Sequence, residues 1–161
     1  RDSIISIVLF CLAPVVLAKE VVGWVENVVV SPGELEYKAK IDSGARTTSL
    51  HCKLCGTYTQ DGEEWVRIEM TDRHGKTIKL DRQILRWVTI KRHYGDSQVR
   101  PVISLGICLA GVYKETEVNL IDRHGLNYDL LIGRRFLQDD FLIDTGAEFR
   151  TRPECKTERH E

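Results

Sequence analysis

Short apolar runs of strand length, separated by turn-forming residues, dominate the sequence after residue 20. These runs lie at residues 21–30, 37–41, 65–70, 78–80, 87–90, 99–109, 117–121 and 130–132. Glycine, proline and aspartate stand between many of them, which is typical of strands joined by tight turns. Residues 134–139, just after Gly133, have a helical pattern, and this segment is short. The sequence therefore predicts a mainly β fold with one short helix near the C-terminus.

Charge and composition exclude several classes of protein. The 161 residues carry 23 Lys+Arg and 24 Asp+Glu, a net charge of −1, so we expect no nucleic-acid partner. The length suits one domain. No phosphate-binding G-x-x-x-x-G-K-[ST] loop, no H-E-x-x-H and no G-x-S-x-G occurs in the sequence, which argues against the common ATPase, zinc-peptidase and serine-hydrolase sites.

The N-terminal stretch has the pattern of a targeting signal. Residues 4–17 are almost wholly apolar, and small residues lead to a predicted cleavage site after Ala18. The run is shorter than the roughly 20 residues that a membrane-spanning helix needs. We predict a signal peptide at 1–18, a domain at 19–149 and a polar, frayed tail at 150–161. The protein is then periplasmic or secreted and leaves the membrane after cleavage, with an uncleaved anchor as the alternative.

Four cysteines would remain after cleavage, and an oxidising compartment permits three pairings among Cys52, Cys55, Cys108 and Cys155. The sequence does not choose among these pairings. His51, Cys52 and Cys55 also resemble half of a zinc site, but no second C-x-x-C occurs further along the chain. We therefore expect no metal and no cofactor, and keep a metal or thiol module as a less favoured alternative.

One internal similarity joins residues 66–75 and 116–125, because each is an alternating strand that ends in D-R-H-G. A hairpin turn with aspartate as an Asx-turn acceptor explains both copies. We favour this interpretation over a metal or acid/base pair formed by His74 and His124. The similarity predicts a fold of two like halves.

The segment with the clearest chemistry is Asp42-Ser43-Gly44-Ala45, which comes directly after the alternating strand at 37–41. It places a carboxylate where a strand ends in a tight turn, next to residues small enough for close approach by a substrate. About ninety residues later, Leu131-Ile132-Gly133 ends a second apolar strand and enters the predicted helix. Each tripeptide is a weak signal by itself, and together, in this order, they are specific.

These segments resemble the bacterial retropepsin-like aspartic protease family, historically labelled "ATP-dependent zinc protease". Residues 38–51, K-A-K-I-D-S-G-A-R-T-T-S-L-H, match the family pattern closely, as do R-P-V-I at 100–103, I-D-R at 121–123, L-I-G-R-R-F-L at 131–137 and F-L-I-D at 141–144. The resemblance covers about residues 22–146. It implies a closed β-barrel with Asp42 as catalytic carboxylate and Leu131, Ile132 and Gly133 beneath its loop. Residues 87–101 would form a flap hairpin whose tip lies near Tyr94 and Gly95, candidate substrate contacts.

Aspartic proteolysis needs two carboxylates that share a proton, so that one acts as base and the other as acid. One chain provides one such loop. The resemblance therefore implies a two-fold homodimer, in which each protomer contributes Asp42, and a peptide or protein substrate.

A second D-T-G-A begins at Asp144 and offers a single-chain dyad with Asp42 as an alternative, but only 14 residues come after Ala147, too few for a second lobe. We predict a structural or turn role for Asp144 and treat residues 141–143 as a candidate dimer interface. Arg46 and Arg134 are candidate substrate contacts that would favour acidic peptides. The alternative for these arginines is a solvated position bonded to loop carbonyls.

The leading hypothesis is an aspartic endopeptidase, and the main alternative is a non-catalytic peptide-binding domain that kept the same fold. Relatives of this family are associated with ATP-grasp ligases that add amino acids to peptides. The resemblance therefore also suggests a peptide-trimming partner of such a ligase.

Overall fold

Strands make up most of a computed structural model that describes residues 18–91, 96–122, 125 and 127–155. The predicted leader therefore lies outside the described residues, except for Ala18. The elements in chain order are β1 (Glu20–Ser31), β2 (Leu35–Ile41), β3 (Thr48–His51), β4 (Lys53–Gln60), β5 (Glu63–Thr71), β6 (Thr77–Gln83), β7 (Arg86–Ile90), β8 (Gln98–Leu109), β9 (Val112–Ile121), β10 (Leu130–Ile132), α1 (Arg134–Leu137) and β11 (Phe141–Glu148). No helix among these residues is long and apolar enough to cross a membrane.

The larger sheet closes on itself. Its order is β11-β1-β2-β10-β3-β9-β8-β7, and an additional pairing of β1 with β8 closes six of these strands into a barrel. Strands β4, β5 and β6 form a separate three-stranded sheet. The predicted mainly β, closed-barrel fold with one short helix is therefore confirmed.

Alternation along the strands explains the core. In β2, every second residue from Leu35 to Ile41 is buried, because successive side chains point to opposite faces of a strand. The C-terminal parts of β8 and β9 are buried almost continuously and complete the core. The most deeply buried large side chains include Tyr37, Leu50, Ile103, Leu105, Ile107, Leu120, Leu130 and Phe136.

The internal similarity does not produce two like halves, so that prediction is wrong. The first copy ends in the β5–β6 hairpin, where Asp72 Oδ1 accepts the backbone N–H groups of His74 and Lys76, as an Asx turn requires. The second copy lies in β9, and the next strand along the chain, β10, pairs with β2 and β3 instead. The same local pattern thus serves two topologies, because a hairpin forms only when the residues after the turn pair back onto the strand before it. His124 lies outside the described residues.

Several contacts hold the described residues after β11, so the prediction of a frayed tail is wrong for residues 150–155. Glu26 is fully buried, and its carboxylate accepts the backbone N–H groups of Gly23, Arg150 and Thr151 at 2.7, 3.0 and 3.1 Å. A disulfide joins Cys108 to Cys155 and selects one pairing among those that the sequence left open. A buried carboxylate and a covalent link hold a polar segment that composition alone marks as loose.

Candidate active site

The candidate site begins where β2 ends. The Asp42 N–H donates to the Ile132 carbonyl at 2.9 Å, so the strand pairing with β10 continues up to the aspartate. The chain then turns, and the Ala45 N–H donates to the Asp42 carbonyl at 3.2 Å. Oδ1 of Asp42 accepts the Gly44 N–H at 3.0 Å. The carboxylate is therefore oriented by its own loop, with 22% of the side chain exposed.

Lys40 lies beside this carboxylate. Its Nζ is 3.5 Å from Asp42 Oδ2, and 42% of the lysine side chain is exposed. An exposed pair of this kind contributes little to stability. It does place a positive charge next to the free oxygen of the aspartate within one protomer.

Gly133 lies directly against the segment that comes after the loop. A Cβ built on it would lie 2.5 Å from the carbonyl carbon and 2.6 Å from the carbonyl oxygen of Thr47, so no larger residue fits without movement of the backbone. The Gly133 N–H also lies 3.3 Å from Thr48 Oγ1, and Thr48 is buried. Ile132 and Gly133 thus contact the Asp42 loop and the segment that comes after it.

Arg134 and Arg135 bind the loop from the other side. Their backbone N–H groups donate to the carbonyls of Ala45 and Arg46 at 2.9 and 3.1 Å. Nη1 of Arg134 also donates to the carbonyls of Ser43 and Gly44 at 2.7 and 3.0 Å. For Arg134 this is the loop-carbonyl contact that the alternative interpretation anticipated. A substrate role for Arg134 and for the exposed Arg46 stays a prediction.

Glu117 forms ion pairs with Arg86 of β7 and with Arg135 of α1. Glu117 Oε2 accepts from Arg86 Nη2 at 2.5 Å and from Arg135 Nη1 at 2.8 Å. The hydrogen bond from Arg86, with the charges of both arginines, lowers the pKa of Glu117 below its ordinary value against the opposing effect of burial. Glu117 therefore links β7 to the helix that begins after Gly133.

The predicted flap has its two strands. β7 and β8 pair antiparallel, from Arg86 opposite Val102 to Ile90 opposite Gln98. Tyr94 and Gly95, the predicted tip, lie outside the described residues. Their role in substrate binding stays a prediction.

Asp144 lies inside strand β11, opposite Gly23 of β1. Its Oδ1 accepts the Gly146 N–H at 3.0 Å, and its Oδ2 lies 3.4 Å from Arg150 Nη1. These contacts agree with a structural role. Because β1 lies between β11 and β2, Asp144 is two strand spacings, about 9–10 Å, from the strand that leads to Asp42.

The cysteines near His51 have no metal-binding geometry. Cys52 is buried and Cys55 exposed, and both thiols are free. Burial, with the nearby Asp122 and Cys55, raises the pKa of the Cys52 thiol to about 12, so it is neutral at physiological pH and a poor ligand. Among the described residues, no group of three or more His, Cys, Asp or Glu side chains could hold a metal ion.

Sequence reasoning missed the polar residues that join the loop to its neighbours. Thr48 and Asn119 are buried, and the Asn119 amide donates to the Thr48 carbonyl at 2.7 Å. Buried polar residues inside otherwise apolar strands are the signal that could have drawn attention to them.

A closed barrel in which an Asp-Ser-Gly-Ala loop rests on an apolar strand ending in glycine defines the retropepsin-like class of proteins. A family model described as "RimB-like: Retropepsin-like aspartic endopeptidase RimB" matches residues 21–154. The chain belongs to this RimB-like family, which confirms the resemblance seen in the sequence.

Curated relatives carry a different name. A "Probable alpha-L-glutamate ligase" of Desulfotalea psychrophila is 33% identical over 115 residues, which cover 69% of this chain and 25% of that protein. A protein of the same name from Shewanella pealeana is 31% identical, with 70% of this chain and 25% of that protein covered. The chain thus spans about a quarter of the length of the curated relatives it matches.

A solved structure shares the architecture. The crystal structure of Lpg0085, a Legionella pneumophila protein described as having unknown function, superposes with a TM-score of 0.71 at 26% identity. The match covers 84% of this chain and all of that one. The architecture of the domain is therefore one that has been seen by experiment.

Proposed function

We propose that this protein is an aspartic endopeptidase that uses Asp42 and the Asp42 of a second copy. The observation that best supports this is the support of the Asp42 loop by Ile132, Gly133 and Arg134, which fixes one carboxylate at the end of β2. Catalytic groups need such rigid support, because small displacements cost large factors in rate. The family description names the same activity.

The chemistry requires two carboxylates about 3 Å apart that share one proton. The ionised one takes a proton from water as the water oxygen attacks the peptide carbonyl carbon, and the protonated one donates to the carbonyl oxygen. Asp144 is a poor second member, since β1 separates its strand from β2 and its carboxylate binds Gly146 and Arg150. A two-fold dimer brings identical loops together without requiring a second lobe.

Mixing inactive and active chains tests the shared dyad. Asp42→Asn chains, refolded in increasing excess with wild-type chains, should suppress activity in proportion to the loss of wild-type pairs. A statine-type transition-state mimic should inhibit the enzyme, while chelation should not. Activity that depends only on the amount of wild-type chain would contradict the shared dyad, and inhibition by chelation would favour a metal instead.

We also propose that acidic, glutamate-containing peptides are substrates. The curated relatives are named glutamate ligases, and Arg46 lies exposed directly after the Asp42 loop. Peptides with a run of glutamate should be cleaved with higher kcat/KM than matched glutamine peptides, and added salt should reduce the difference. Arg46→Glu should further reduce the difference in kcat/KM between the glutamate and the glutamine peptides. Equal rates on the two peptides in low salt would rule out this specificity.

A second candidate function is peptide binding without cleavage. In one protomer, Asp42 Oδ2 lies 3.5 Å from the ammonium of Lys40, so this ion pair occupies the oxygen that a second carboxylate would have to approach. If this is the function, wild-type protein should bind peptides and cleave none of them. Cleavage that disappears in Asp42→Asn, with binding retained, decides for the peptidase.

We propose export to the periplasm or the medium. The apolar run at residues 4–17 and the disulfide between Cys108 and Cys155 both suit a protein that folds in an oxidising compartment. Fractionation of cells that express the protein from its full gene, with thiol labelling of Cys108 and Cys155, tests this. A reduced, cytosolic protein would overturn it.

A further inference from the structure

Asn119 joins the segment just after the Asp42 loop to the neighbouring strand β8, because both ends of its side-chain amide form hydrogen bonds. It lies in β9 opposite Ser49 of β3, and only 3% of the residue is exposed. Nδ2 donates to the Thr48 carbonyl at 2.7 Å and lies 3.3 Å from Thr47 Oγ1. Oδ1 accepts from Arg100 Nη1 at 2.9 Å. With an acceptor on one side and a donor on the other, the amide has one favourable orientation.

Arg100 lies in one of the two strands predicted to form the flap. It lies in β8 opposite Val88 of β7, close to the Gln98–Ile90 pair where the described part of the hairpin ends. Its Nε and Nη2 donate to Gln98 Oε1 at 3.1 and 2.9 Å. Because the guanidinium is a planar fork, it holds Gln98 and Asn119 in a fixed relation.

The other end of this network reaches the support of the loop. Thr48, whose carbonyl accepts from Asn119, offers its Oγ1 to the Gly133 N–H at 3.3 Å. Gly133 in turn packs against the backbone of Thr47. A continuous set of hydrogen bonds therefore runs from the flap strand through Arg100, Asn119 and Thr48 to Gly133.

We propose that Asn119 is a positioning residue for the reaction, which fixes the Asp42 loop relative to the flap by acting through Thr47 and Thr48. This inference rests on the proposed peptidase function. Asn119 sets where the Asp42 carboxylate stands relative to strand β8, so it acts on the rate of the chemical step more than on substrate binding. A displacement of about 1 Å at such a site can cost about a hundredfold in rate.

Two variants separate the two halves of the network. Asn119→Asp keeps an acceptor for Arg100 but turns an oxygen toward the Thr48 carbonyl, so the loop half is lost. We expect kcat to fall about tenfold or more with KM changed less than about twofold. Arg100→Met removes the hydrogen bond from Arg100 to Asn119 Oδ1 and leaves the hydrogen bond from Asn119 to the Thr48 carbonyl, so kcat should fall by a smaller factor.

Asn27→Asp is the matched control. Asn27 Oδ1 also accepts from an arginine, Arg73 Nη1, at 2.5 Å, and Asn27 lies in β1 opposite Lys38, away from the loop. The substitution adds the same charge to the same kind of pair and should leave kcat unchanged. A folded Asn119→Asp protein with the kcat of Asn27→Asp overturns the proposal, and so does an Arg100→Met protein with wild-type kcat if Asn119→Asp does not fold.

Amide hydrogen exchange separates this proposal from the proposed function. In Asn119→Asp, the Gly133 and Ala45 amides should exchange faster, while the β5–β6 pairing keeps its protection. Wild-type protein without Asp42-dependent cleavage would refute the peptidase and with it a role of Asn119 in the reaction, and the exchange result would then test only whether Asn119 holds the Asp42 loop. Unchanged exchange at Gly133 and Ala45 overturns the positioning role in either case.

Discussion

Two segments of this chain, residues 42–45 and 144–147, share the pattern Asp-[Ser/Thr]-Gly-Ala and one local hydrogen bond. In each, the aspartate Oδ1 accepts the N–H of the glycine two residues later at 3.0 Å. Four residues are enough to form this bond, because the short side chain reaches its own backbone. The tetrapeptide alone therefore does not distinguish the two positions.

The surroundings of Asp42 and Asp144 distinguish the two positions. Asp42 lies just past the end of β2, where Arg134 binds the carbonyls of its loop and Gly133 packs against the next residues. Asp144 lies within β11, which pairs with β1, and it contacts Arg150. The comparison teaches that the candidate site is defined by the contacts that hold the turn from outside.

The largest expected difference is in catalysis. Asp42→Asn should lower the rate by at least about a hundredfold, since general acid/base groups contribute factors of about 10²–10⁴. Asp144→Asn should retain activity within about threefold, because it loses one exposed ion pair. Initial rates on one peptide substrate, with folding checked by circular dichroism, compare the two. Equal loss in both variants would make Asp144 part of the site.

Stability should depend more on Gly133, which packs beside the Asp42 loop, than on Gly146, which lies within the second D-[ST]-G-A segment. Gly133→Ala should destabilise the protein by about 1–3 kcal/mol, because the new methyl group meets the Thr47 backbone. Gly146→Ala should change stability by less than about 0.5 kcal/mol, since its nearest contact is Asp144 Oδ1 at 3.4 Å. Urea unfolding midpoints measure both. A tolerated alanine at 133 would show that the loop shifts freely.

Replacing Arg134 should lower activity more than replacing Arg150, although by a smaller factor than the one that separates the two aspartate variants. Arg134→Met removes the side-chain donor to the Ser43 and Gly44 carbonyls, and we expect kcat to fall about three- to tenfold with little change in stability. Arg150→Met removes the partner of Asp144 and should leave kcat unchanged. Steady-state kinetics of both variants decide. Loss of activity in Arg150→Met alone would reverse the comparison.

The smallest effect concerns acid stability. Since Arg86 and Arg135 lower the pKa of Glu117, this group stabilises the fold at pH values above its ordinary pKa, and the contribution disappears as the pH falls through the lower folded-state pKa. Glu117→Gln should therefore be less stable than wild type at neutral pH, with the difference shrinking toward acid.

Urea midpoints between about pH 3 and 7 measure this difference. The control is Glu154→Gln, because Glu154 has an exposed partner, Arg152, at 3.8 Å. A stability difference between Glu117→Gln and wild type that stays constant with pH would contradict the expected ionisation.

The sequence predicted strands well where apolar residues alternate or follow one another, and poorly where apolar residues are sparse. The runs at 21–30, 37–41 and 65–70 became β1, β2 and most of β5. Strand β4, Lys53–Gln60, was missed, because it is largely exposed and has few apolar residues to reveal a period. The helix is shorter than predicted and ends at Leu137.

The sequence likewise revealed some residues of the candidate site and missed others. Asp42 and its support at 131–133 were found from the sequence because both are short, contiguous patterns. The network of Arg100, Asn119 and Thr48 joins residues 19 to 71 positions apart, and no local pattern announces it. The role of Glu26 in holding residues 150–151 was invisible for the same reason.

By itself, the sequence determined the fold class and the aspartate on which the proposed chemistry depends, because alternation and turn residues act over a few neighbours. Tertiary structure alone decided which of the two D-[ST]-G-A segments forms a supported turn and how the C-terminal segment is anchored. Those outcomes depend on contacts between distant segments, and such contacts exist only once the barrel has closed.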